Sequence, residues 1–394
     1  MPAAGRYNGN MTAASRSQVL AYRWEVQGLR SEPGALAVSD IPILDSGVQD
    51  TGVDGARWAL VNRGADPQLP LDDPDTALAW TLRSAPHLYR RQDLPQVAAA
   101  VRPFSNADAG KRIIDAVKPL KAAGIEPLDA LDEVAAAERK IVESPTVKGE
   151  LSGRLNEVLD EPYQRFCRPC HATHVYEVPF RISALQAGLE LQPGSSPPVL
   201  QRIPGWPDAP PAEASERVDV IRNYLHFNGP ATPTQVTGFL DGALADVKAR
   251  WPDDAVEVEV DGQVRWMLAD DVAALEAAGQ DGGASDPENG RPAVRLLGPY
   301  DPYLQVRDRE LLVPDAAQRK TLWPTLGRPG AVLAGGDVVG AWRPRMAGKK
   351  LTVRIEDFGS MATAGPWLST AVEHQAELLA GFRGVRLAAV EYSQ

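Results

Sequence analysis

Three consecutive polar side chains stand just ahead of a helix-like segment at residues 55–63: Gln49, Asp50 and Thr51. The first turn of a helix has unpaired backbone N–H groups and the positive end of the helix dipole, which together favour negative charge nearby. The stretch therefore predicts one of two things. It is either a binding site for an anionic group or a capping turn before a helix that packs through Trp58 and Leu60.

Two stretches combine several basic residues with no acidic one, and both are candidates for binding phosphate groups. Residues 77–92 hold a set that could follow phosphates and stack on a displaced base: Arg83, His87, Tyr89, Arg90 and Arg91. Residues 338–355 hold a second set: Arg343, Arg345, Lys349 and Lys350. A basic hairpin that is merely solvated would account for the first set equally well.

Both cysteines of the chain fall within eight residues, together with two histidines: Cys167, Cys170, His171 and His174. Four such ligands suggest zinc. Structural zinc sites, however, usually join two ligand pairs across a longer loop, and adjacent ligands strain the geometry. We therefore expect a reduced structural turn and no metal. With only two cysteines, the chain cannot form a disulfide scaffold.

Length and charge limit the class of protein. With 394 residues the chain is long enough for two or three domains, and its net charge of -11 argues against a protein that coats nucleic acid indiscriminately. No apolar leader or membrane-length run is present, which predicts a cytoplasmic location. Phosphate-binding glycine loops and Ser/His/Asp signatures are also missing, which excludes nucleotide hydrolysis and acyl transfer.

Helices followed by a β-hairpin recur along the chain, which is the order of winged-helix units. The clearest hairpin, at residues 256–267, joins two alternating runs through Asp261-Gly262, and Thr232-Pro233 predicts a helix start before it. The predicted class is α+β, with three tandem winged helix-turn-helix units and a C-terminal α+β module. The predicted units cover residues 15–105, 106–205, 212–275 and 290–394.

Other elements follow from periodicity. Predicted helices cover residues 17–29, 111–123, 128–142, 146–159, 218–227, 243–251 and 369–379. Predicted strands lie within residues 76–91, 173–191, 294–297, 311–313, 331–343 and 351–355. A flexible break is expected at residues 279–290.

The chain resembles the winged-helix DNA-binding family of AlkZ-type and YcaQ-type DNA glycosylases, which remove bulky alkylated bases and unhook interstrand crosslinks. The residues that carry the resemblance are found in residues 47–60, 79–91, 172–175, 298–303, 309–314, 328–330 and 340–345. It implies tandem winged helices around a DNA-sized concavity. It also implies a catalytic Gln-x-Gln or Gln-x-Asp motif at the entrance of a helix.

The chain departs from that motif. Gln49 matches its first position, but Thr51 stands at the second and the acid comes one place early, at Asp50. If Gln49 is instead taken as the second member, the first falls on Gly47, which has no side chain. Neighbours on a helix differ by about 100° in direction, so the shift re-aims the carboxylate.

The resemblance implies the chemistry and the site. An N7-alkylated purine is positively charged and leaves readily, so the site must hold a water near C1′ and stabilise an oxocarbenium-like sugar. The amide of Gln49 can orient that water, ionised Asp50 can act as the electrostatic or general-base group, and Thr51 supports them. His174 and the two basic sets are the expected DNA contacts.

The expected function is therefore that of a monomeric, monofunctional DNA glycosylase that acts on alkylated or crosslinked bases in double-stranded DNA without metal or cofactor. The alternative is a non-catalytic winged-helix DNA-binding protein or transcriptional regulator. A regulator would be expected to dimerise and to bind a palindrome through a recognition helix.

Overall fold

The computed structural model describes residues 11–169, 171–278 and 290–393, which form a mixed α+β architecture, as predicted. None of the described helices is long and apolar enough to cross a membrane. The elements up to residue 101 are β1 (Thr12–Ala14), α1 (Arg16–Val26), β2 (Val48–Gln49), α2 (Gly55–Val61), β3 (Thr76–Trp80), β4 (Pro86–Arg90) and α3 (Leu94–Val101).

The predicted strand pair within residues 76–91 is confirmed as the antiparallel hairpin of β3 and β4. Strand β2 pairs with the other side of β4, with Val48 opposite Leu88 and Gln49 opposite His87. Because β2 is the edge strand of a six-stranded sheet, Gln49 lies at the margin of that sheet, just before the loop into α2.

The next part of the chain is mostly helical. Its elements are α4 (Asn106–Arg112), α5 (Val117–Ala122), α6 (Pro127–Ile141), β5 (Thr146–Val147), α7 (Lys148–Val158), β6 (Gln164–Cys167), β7 (Ala172–Val175), α8 (Glu177–Ala184), β8 (Leu189–Leu191) and β9 (Val199–Arg202). The predicted helix at residues 111–123 is two helices, since the chain turns at residues 113–116. The prediction of strand at residues 176–180 was wrong. Pro179 lies in the first turn of α8, where its missing N–H costs no hydrogen bond, and Phe180 and Ala184 share the buried face.

Strands from the first two predicted units belong to one sheet, with the order β2-β4-β3-β8-β9-β5. In addition, β1 pairs in parallel with β10 (Ala255–Val260), far along the chain. These strand pairs connect residues on opposite sides of the predicted boundaries at residues 105 and 211. They do not show where independently folding units begin, so the division into units stays a prediction.

The third region contains α9 (Val220–Asn228), α10 (Pro233–Leu240), α11 (Leu244–Ala249), β10, β11 (Gln263–Leu268) and α12 (Val272–Ala277). The predicted helix start is confirmed, because Thr232 and Gln235 form a capping box around Pro233. The predicted hairpin is confirmed as well. Asp261 and Gly262 both have positive φ, at 48° and 79°, as a two-residue type I′ turn requires. The break expected at residues 279–290 lies almost wholly outside the described residues.

The C-terminal region is a five-stranded sheet, in the order β12-β13-β14-β15-β16, with α16 packed on it. Its elements are β12 (Val294–Leu297), α13 (Arg309–Leu312), α14 (Ala316–Leu322), β13 (Gly330–Ala334), β14 (Asp337–Ala347), β15 (Lys350–Asp357), α15 (Met361–Ala364), α16 (Pro366–Phe382) and β16 (Arg386–Ser393). The strand predicted at residues 311–313 was wrong: it is largely the short helix α13, whose Leu311 and Leu312 pack into two different apolar clusters. Strand β16 was not predicted.

Helix α2 joins the first region to the C-terminal sheet. Trp58 is fully buried against that sheet, and its indole Nε1 donates to the Leu296 carbonyl at 2.6 Å. Near the end of the helix, Arg63 forms a two-armed pair with Asp301, and both side chains are 0% exposed. The loop that follows Gln49 is thus held between two sheets.

Glu138 on α6 is fully buried, and among the described residues neither carboxylate oxygen has a hydrogen-bond partner. Burial raises its pKa well above the ordinary value, so the folded protein favours the neutral acid. The contribution of Glu138 to the free energy of unfolding is therefore fully present at acid pH. It decreases as the pH rises above the pKa of the unfolded state, about 4.3. We expect Glu138→Gln to gain stability relative to wild type between pH 5 and pH 8, measured by urea unfolding. An equal difference at both pH values would contradict this.

Candidate active site

Gln49 is the first residue of the candidate motif that has a side chain. Gly47 has a φ of 77°, and a Cβ built there would lie 2.3 Å from Cζ of the Tyr89 ring. Such a distance leaves no room for a side chain. A side chain at residue 47 is therefore excluded on steric grounds, so residue 47 cannot supply the first polar group of the motif. The candidate motif in this chain begins at Gln49.

The Gln49 amide is held by three polar neighbours. Its Nε2 donates to the Thr51 hydroxyl at 3.0 Å, while its Oε1 lies 3.4 Å from both Arg83 Nη2 and Gln305 Nε2. The short contact fixes the amide orientation, whereas the carbonyl oxygen accepts two long and therefore weak hydrogen bonds. Thr51 therefore contacts the Gln49 amide directly, and its supporting role stays a prediction.

Asp50 points elsewhere. Its Oδ1 accepts the Ala56 backbone N–H at 2.8 Å, so it caps the first turn of α2, and a Cβ at Gly55 would lie only 1.9 Å from the same oxygen. Burial raises the pKa of Asp50, although the Ala56 hydrogen bond and Arg57 oppose that change. Oδ1 of Asp50 is therefore engaged by the backbone of the helix, which speaks against the expected role of Asp50 in polarising the attacking water, and that role stays a prediction.

A cleft of about 270 Å³ lies between this loop and the C-terminal sheet. Gln49 and Thr51 line it, together with residues of the loop into α2, of α2 itself, of three C-terminal segments and Arg383: Gly52, Val53, Asp54, Gly55, Ala59, Gly298, Pro299, Tyr300, Asp301, Arg328, Pro329, Gly330, Trp342, Arg343, Pro344 and Arg383. Its two acids are paired, Asp54 with Arg383 and Asp301 with Arg63. The cleft therefore combines a polar amide with apolar walls and paired charges.

Arg83 lies beside the cleft, in a set of arginines close enough for their positive charges to repel one another. Its guanidinium lies 4.8 Å from the Phe239 ring centroid and donates to the Phe239 carbonyl at 2.7 Å. Burial and then the positive charge of Arg307 lower the pKa of Arg83 to about 10, with Arg328 adding to the effect. Arg83 stays charged at neutral pH, and the predicted anion-binding role fits this geometry.

Sequence reasoning missed three arginines of this set: Arg307, Arg309 and Arg328. Arg309 stacks on Trp323 at 4.9 Å and Arg328 on Tyr300 at 5.3 Å, which holds each planar guanidinium in place. Burial, then Arg328 and Arg307, lower the pKa of Arg309. The sequence offers the Arg-Asp-Arg triplet at residues 307–309, but only the structure shows that Asp308 is buried while Arg307 is exposed.

The two members of the first basic set that carry rings, His87 and Tyr89, are buried, and their prediction as DNA contacts is corrected. The ring of His87 lies in the interior, with its Nδ1 3.0 Å from Thr81 Oγ1, and burial lowers its pKa to about 3. The Tyr89 hydroxyl shares the same threonine oxygen, and burial raises its pKa to about 12. His87 is therefore neutral at physiological pH, and neither ring can reach a ligand.

Arg90 and Arg91 are structural as well. Arg90 is buried, where it pairs with Asp45 and donates to the Ile41 carbonyl at 2.7 Å. Arg91 pairs with Glu190 at 2.6 Å and donates to two backbone carbonyls. Since their donors are used within the protein, their prediction as DNA contacts is corrected too. From this set only Arg83 remains a candidate.

The second basic set is exposed, as a surface for phosphates requires. Arg343, Arg345, Lys349 and Lys350 occupy the outer part of the β14–β15 hairpin. Arg343 also lines the cleft and donates to the Gly327 carbonyl at 2.6 Å, which ties the hairpin to the loop at residues 324–329. These four residues stay predicted DNA contacts.

The cysteine and histidine segment forms the β6–β7 hairpin, in which His174 pairs with Arg165 across the strands. His174 is half-buried, and its role with DNA stays a prediction. Cys170 lies outside the described residues. Within the described ranges no three His, Cys, Asp or Glu side chains are grouped so as to hold a metal ion.

Comparison with known proteins adds two findings. The family model described as DNA glycosylase AlkZ-like matches residues 47–382. Among solved structures, the Streptomyces sahachiroi DNA glycosylase AlkZ has the same fold, with a TM-score of 0.69 and 22% sequence identity over 97% of this chain and 100% of that chain. No curated protein matches the sequence significantly.

Proposed function

The chain belongs to the AlkZ-like DNA glycosylase family, and we propose that it hydrolyses the N-glycosidic bond of N7-alkylated purines in double-stranded DNA. The observation that carries the proposal is the placement of Gln49. Its amide is held at the wall of a cleft, where its carbonyl oxygen accepts only two long hydrogen bonds, which an incoming water can replace, and arginines lie on the adjoining surface.

The reaction requires few catalytic groups at this site, because the alkylated base leaves readily. The bond between C1′ and the purine nitrogen breaks with its electron pair going to the base, which neutralises the positive charge that alkylation created. A water then adds to C1′ and releases its proton to solvent. Gln49 Oε1 accepts a hydrogen bond from that water and orients it toward C1′, while the oxygen's partial negative charge faces the cationic sugar. Thr51 is a positioning residue for the amide.

The DNA contacts follow from charge. We assign phosphate binding to Arg83, Arg307, Arg309 and Arg328 beside the cleft, and to Arg343, Arg345, Lys349 and Lys350 on the β14–β15 hairpin. The chain as a whole carries a net charge of -11, so these clusters are local exceptions that can orient DNA electrostatically. We also assign His174, on strand β7, as a further DNA contact.

Finer features of the proposal rest on the order of elements. We propose three winged-helix units at residues 15–105, 106–205 and 212–275, followed by the C-terminal module at 290–394. The third unit supports this best, because α9, α10 and α11 are followed by the β10–β11 hairpin. We also propose that the protein acts as a cytoplasmic monomer on damaged DNA, including crosslinks, without a metal or cofactor.

The test is release of free base under single-turnover conditions. Duplexes carry either one N7-methylguanine or one bulkier N7 adduct, and the released base is quantified by chromatography. We expect release from both lesions and none from the unmodified duplex. Tight binding without release would instead support a non-catalytic DNA-binding protein, which the threonine at the second motif position, Thr51, makes the main competitor.

A further inference from the structure

Gln305 brings a second side-chain amide to the candidate site, from a position 256 residues away from Gln49 in the sequence. Its Nε2 lies between two acceptors, the Gln49 Oε1 at 3.4 Å and the Tyr300 carbonyl oxygen at 3.3 Å. Tyr300 itself lines the cleft. The NH₂ group of Gln305 therefore links the Gln49 amide to a backbone carbonyl of the cleft wall.

The backbone that carries Gln305 is held by packing. Leu304 and Val306, on either side of it, are only 4% and 1% exposed, whereas Gln305 is half-buried. The Gln305 backbone N–H donates to the Pro302 carbonyl at 3.1 Å, which closes a short helical turn around the buried Tyr303. A residue that positions a second side chain needs such a fixed backbone.

The Gln49 amide needs a partner that can tell its two ends apart. The two ends have nearly the same shape, but one accepts a hydrogen bond and the other donates. Thr51 holds the amide at 3.0 Å, yet a hydroxyl both donates and accepts, so it would also satisfy the Gln49 oxygen. A backbone carbonyl only accepts. Tyr300 therefore requires the NH₂ end of Gln305, and that NH₂ requires the oxygen end of Gln49.

We propose that Gln305 is a positioning residue that determines which end of the Gln49 amide faces the attacking water. The Tyr300 carbonyl orients Gln305, Gln305 Nε2 then orients Gln49 Oε1, and Gln49 Nε2 is left to Thr51. Arg83 is the other donor to Gln49 Oε1, but the proposed function assigns its charge to a DNA phosphate. The inference rests on that proposed function and extends it to a residue outside the motif.

The first test replaces Gln305 with methionine, which has a similar length but no N–H group. We expect Gln305→Met to lower the single-turnover rate on an N7-methylguanine duplex about three- to tenfold, the range that the net free energy of one hydrogen bond allows. DNA affinity should not change. In a Gln49→Ala background the same substitution should have no further effect, because the amide that Gln305 positions is gone. A purely structural role would lower both rates by the same factor.

Gln318→Met is the matched control. Gln318 is also half-buried, and its Nε2 donates to the Phe358 carbonyl at 3.3 Å, but it is not among the residues that line the cleft or contact Gln49. We expect Gln318→Met to keep the wild-type rate. A wild-type rate in Gln305→Met would overturn the proposal, as would equal loss in the two methionine variants or additive loss with Gln49→Ala.

The second test needs no base release. It compares the affinity for two duplexes, one with a pyrrolidine abasic nucleotide, whose ring is cationic, and one with a neutral tetrahydrofuran abasic nucleotide. Wild type should bind the cationic duplex at least about tenfold more tightly, because the partial negative charge of Gln49 Oε1 faces the ring. Gln305→Met should lower that ratio about three- to tenfold.

The two tests separate the positioning role from the proposed function. If wild type prefers the cationic ring, Gln305→Met reduces the preference and no base is released, the proposed function fails and the positioning role stands. If base is released but wild type shows no preference, or Gln305→Met shows the same preference as wild type, the positioning role is overturned.

Discussion

Gln49→Ala is expected to lower the single-turnover rate of base release by about 10²- to 10³-fold, the range seen when one oriented polar group at a reacting centre is removed. In the proposed mechanism Gln49 Oε1 orients the attacking water, and Gln49 lines the cleft with its amide hydrogen-bonded to Thr51. DNA affinity should change little, because the phosphate contacts are untouched. The measurement is the rate on an N7-methylguanine duplex at saturating protein.

Substitutions at the two residues that follow Gln49 distinguish its role from theirs. Asp50→Asn should keep the rate within a few-fold of wild type, because an asparagine oxygen can still accept the Ala56 N–H and cap α2. Thr51→Val keeps the shape but removes the acceptor for Gln49 Nε2, so an intermediate loss is expected. Equal loss in Asp50→Asn and Gln49→Ala would instead support Asp50 as the electrostatic or general-base group and contradict a purely capping role.

The second large effect concerns stability. Asp301→Ala is expected to lower the free energy of unfolding by about 3–5 kcal/mol, because it strands a buried arginine charge. Arg63 and Asp301 are both 0% exposed and are joined through two hydrogen bonds, at 2.7 and 2.9 Å. Asp301 also accepts the Tyr303 N–H at 2.9 Å, so the loop that walls the cleft loses a second anchor. Urea unfolding measures the change.

A matched surface pair provides the control. Arg102 and Asp132 form a similar two-armed pair, but the side chains are 37% and 53% exposed, so Asp132→Ala should cost less than about 1 kcal/mol. Removing both buried charges, with Arg63→Met and Asp301→Leu together, should recover part of the loss. If Asp132→Ala and Asp301→Ala cost the same, burial is not what makes the Arg63–Asp301 pair important.

The sequence by itself determined the features that depend on local physics. The turn at Asp261-Gly262 follows from backbone conformations that these residues tolerate, and the capping box at Thr232 follows from a side chain that reaches its own helix. The α+β class and the resemblance to DNA glycosylases also came from local patterns, and the family match confirms the resemblance.

Local patterns failed where packing decided the element. Residues 176–180 alternate as a strand would, yet they enter α8, because burying Phe180 and Ala184 on one helical face outweighs the weak strand preference. Likewise, strands β8 and β9 join the sheet of β2 across more than a hundred residues. No periodicity within a segment encodes such a pairing.

Only the tertiary structure decided which polar side chains face the cleft. Arg83, His87 and Arg90 are equivalent basic candidates in the sequence, but of the three only the Arg83 side chain contacts the Gln49 amide, while the other two are buried with partners. Asp50 and Thr51 are neighbours, yet one caps α2 and the other holds Gln49. The direction of a side chain depends on the strand register and on contacts from distant segments, such as Gln305 and Arg328. A sequence names the groups available for chemistry, whereas folding decides which of them meet.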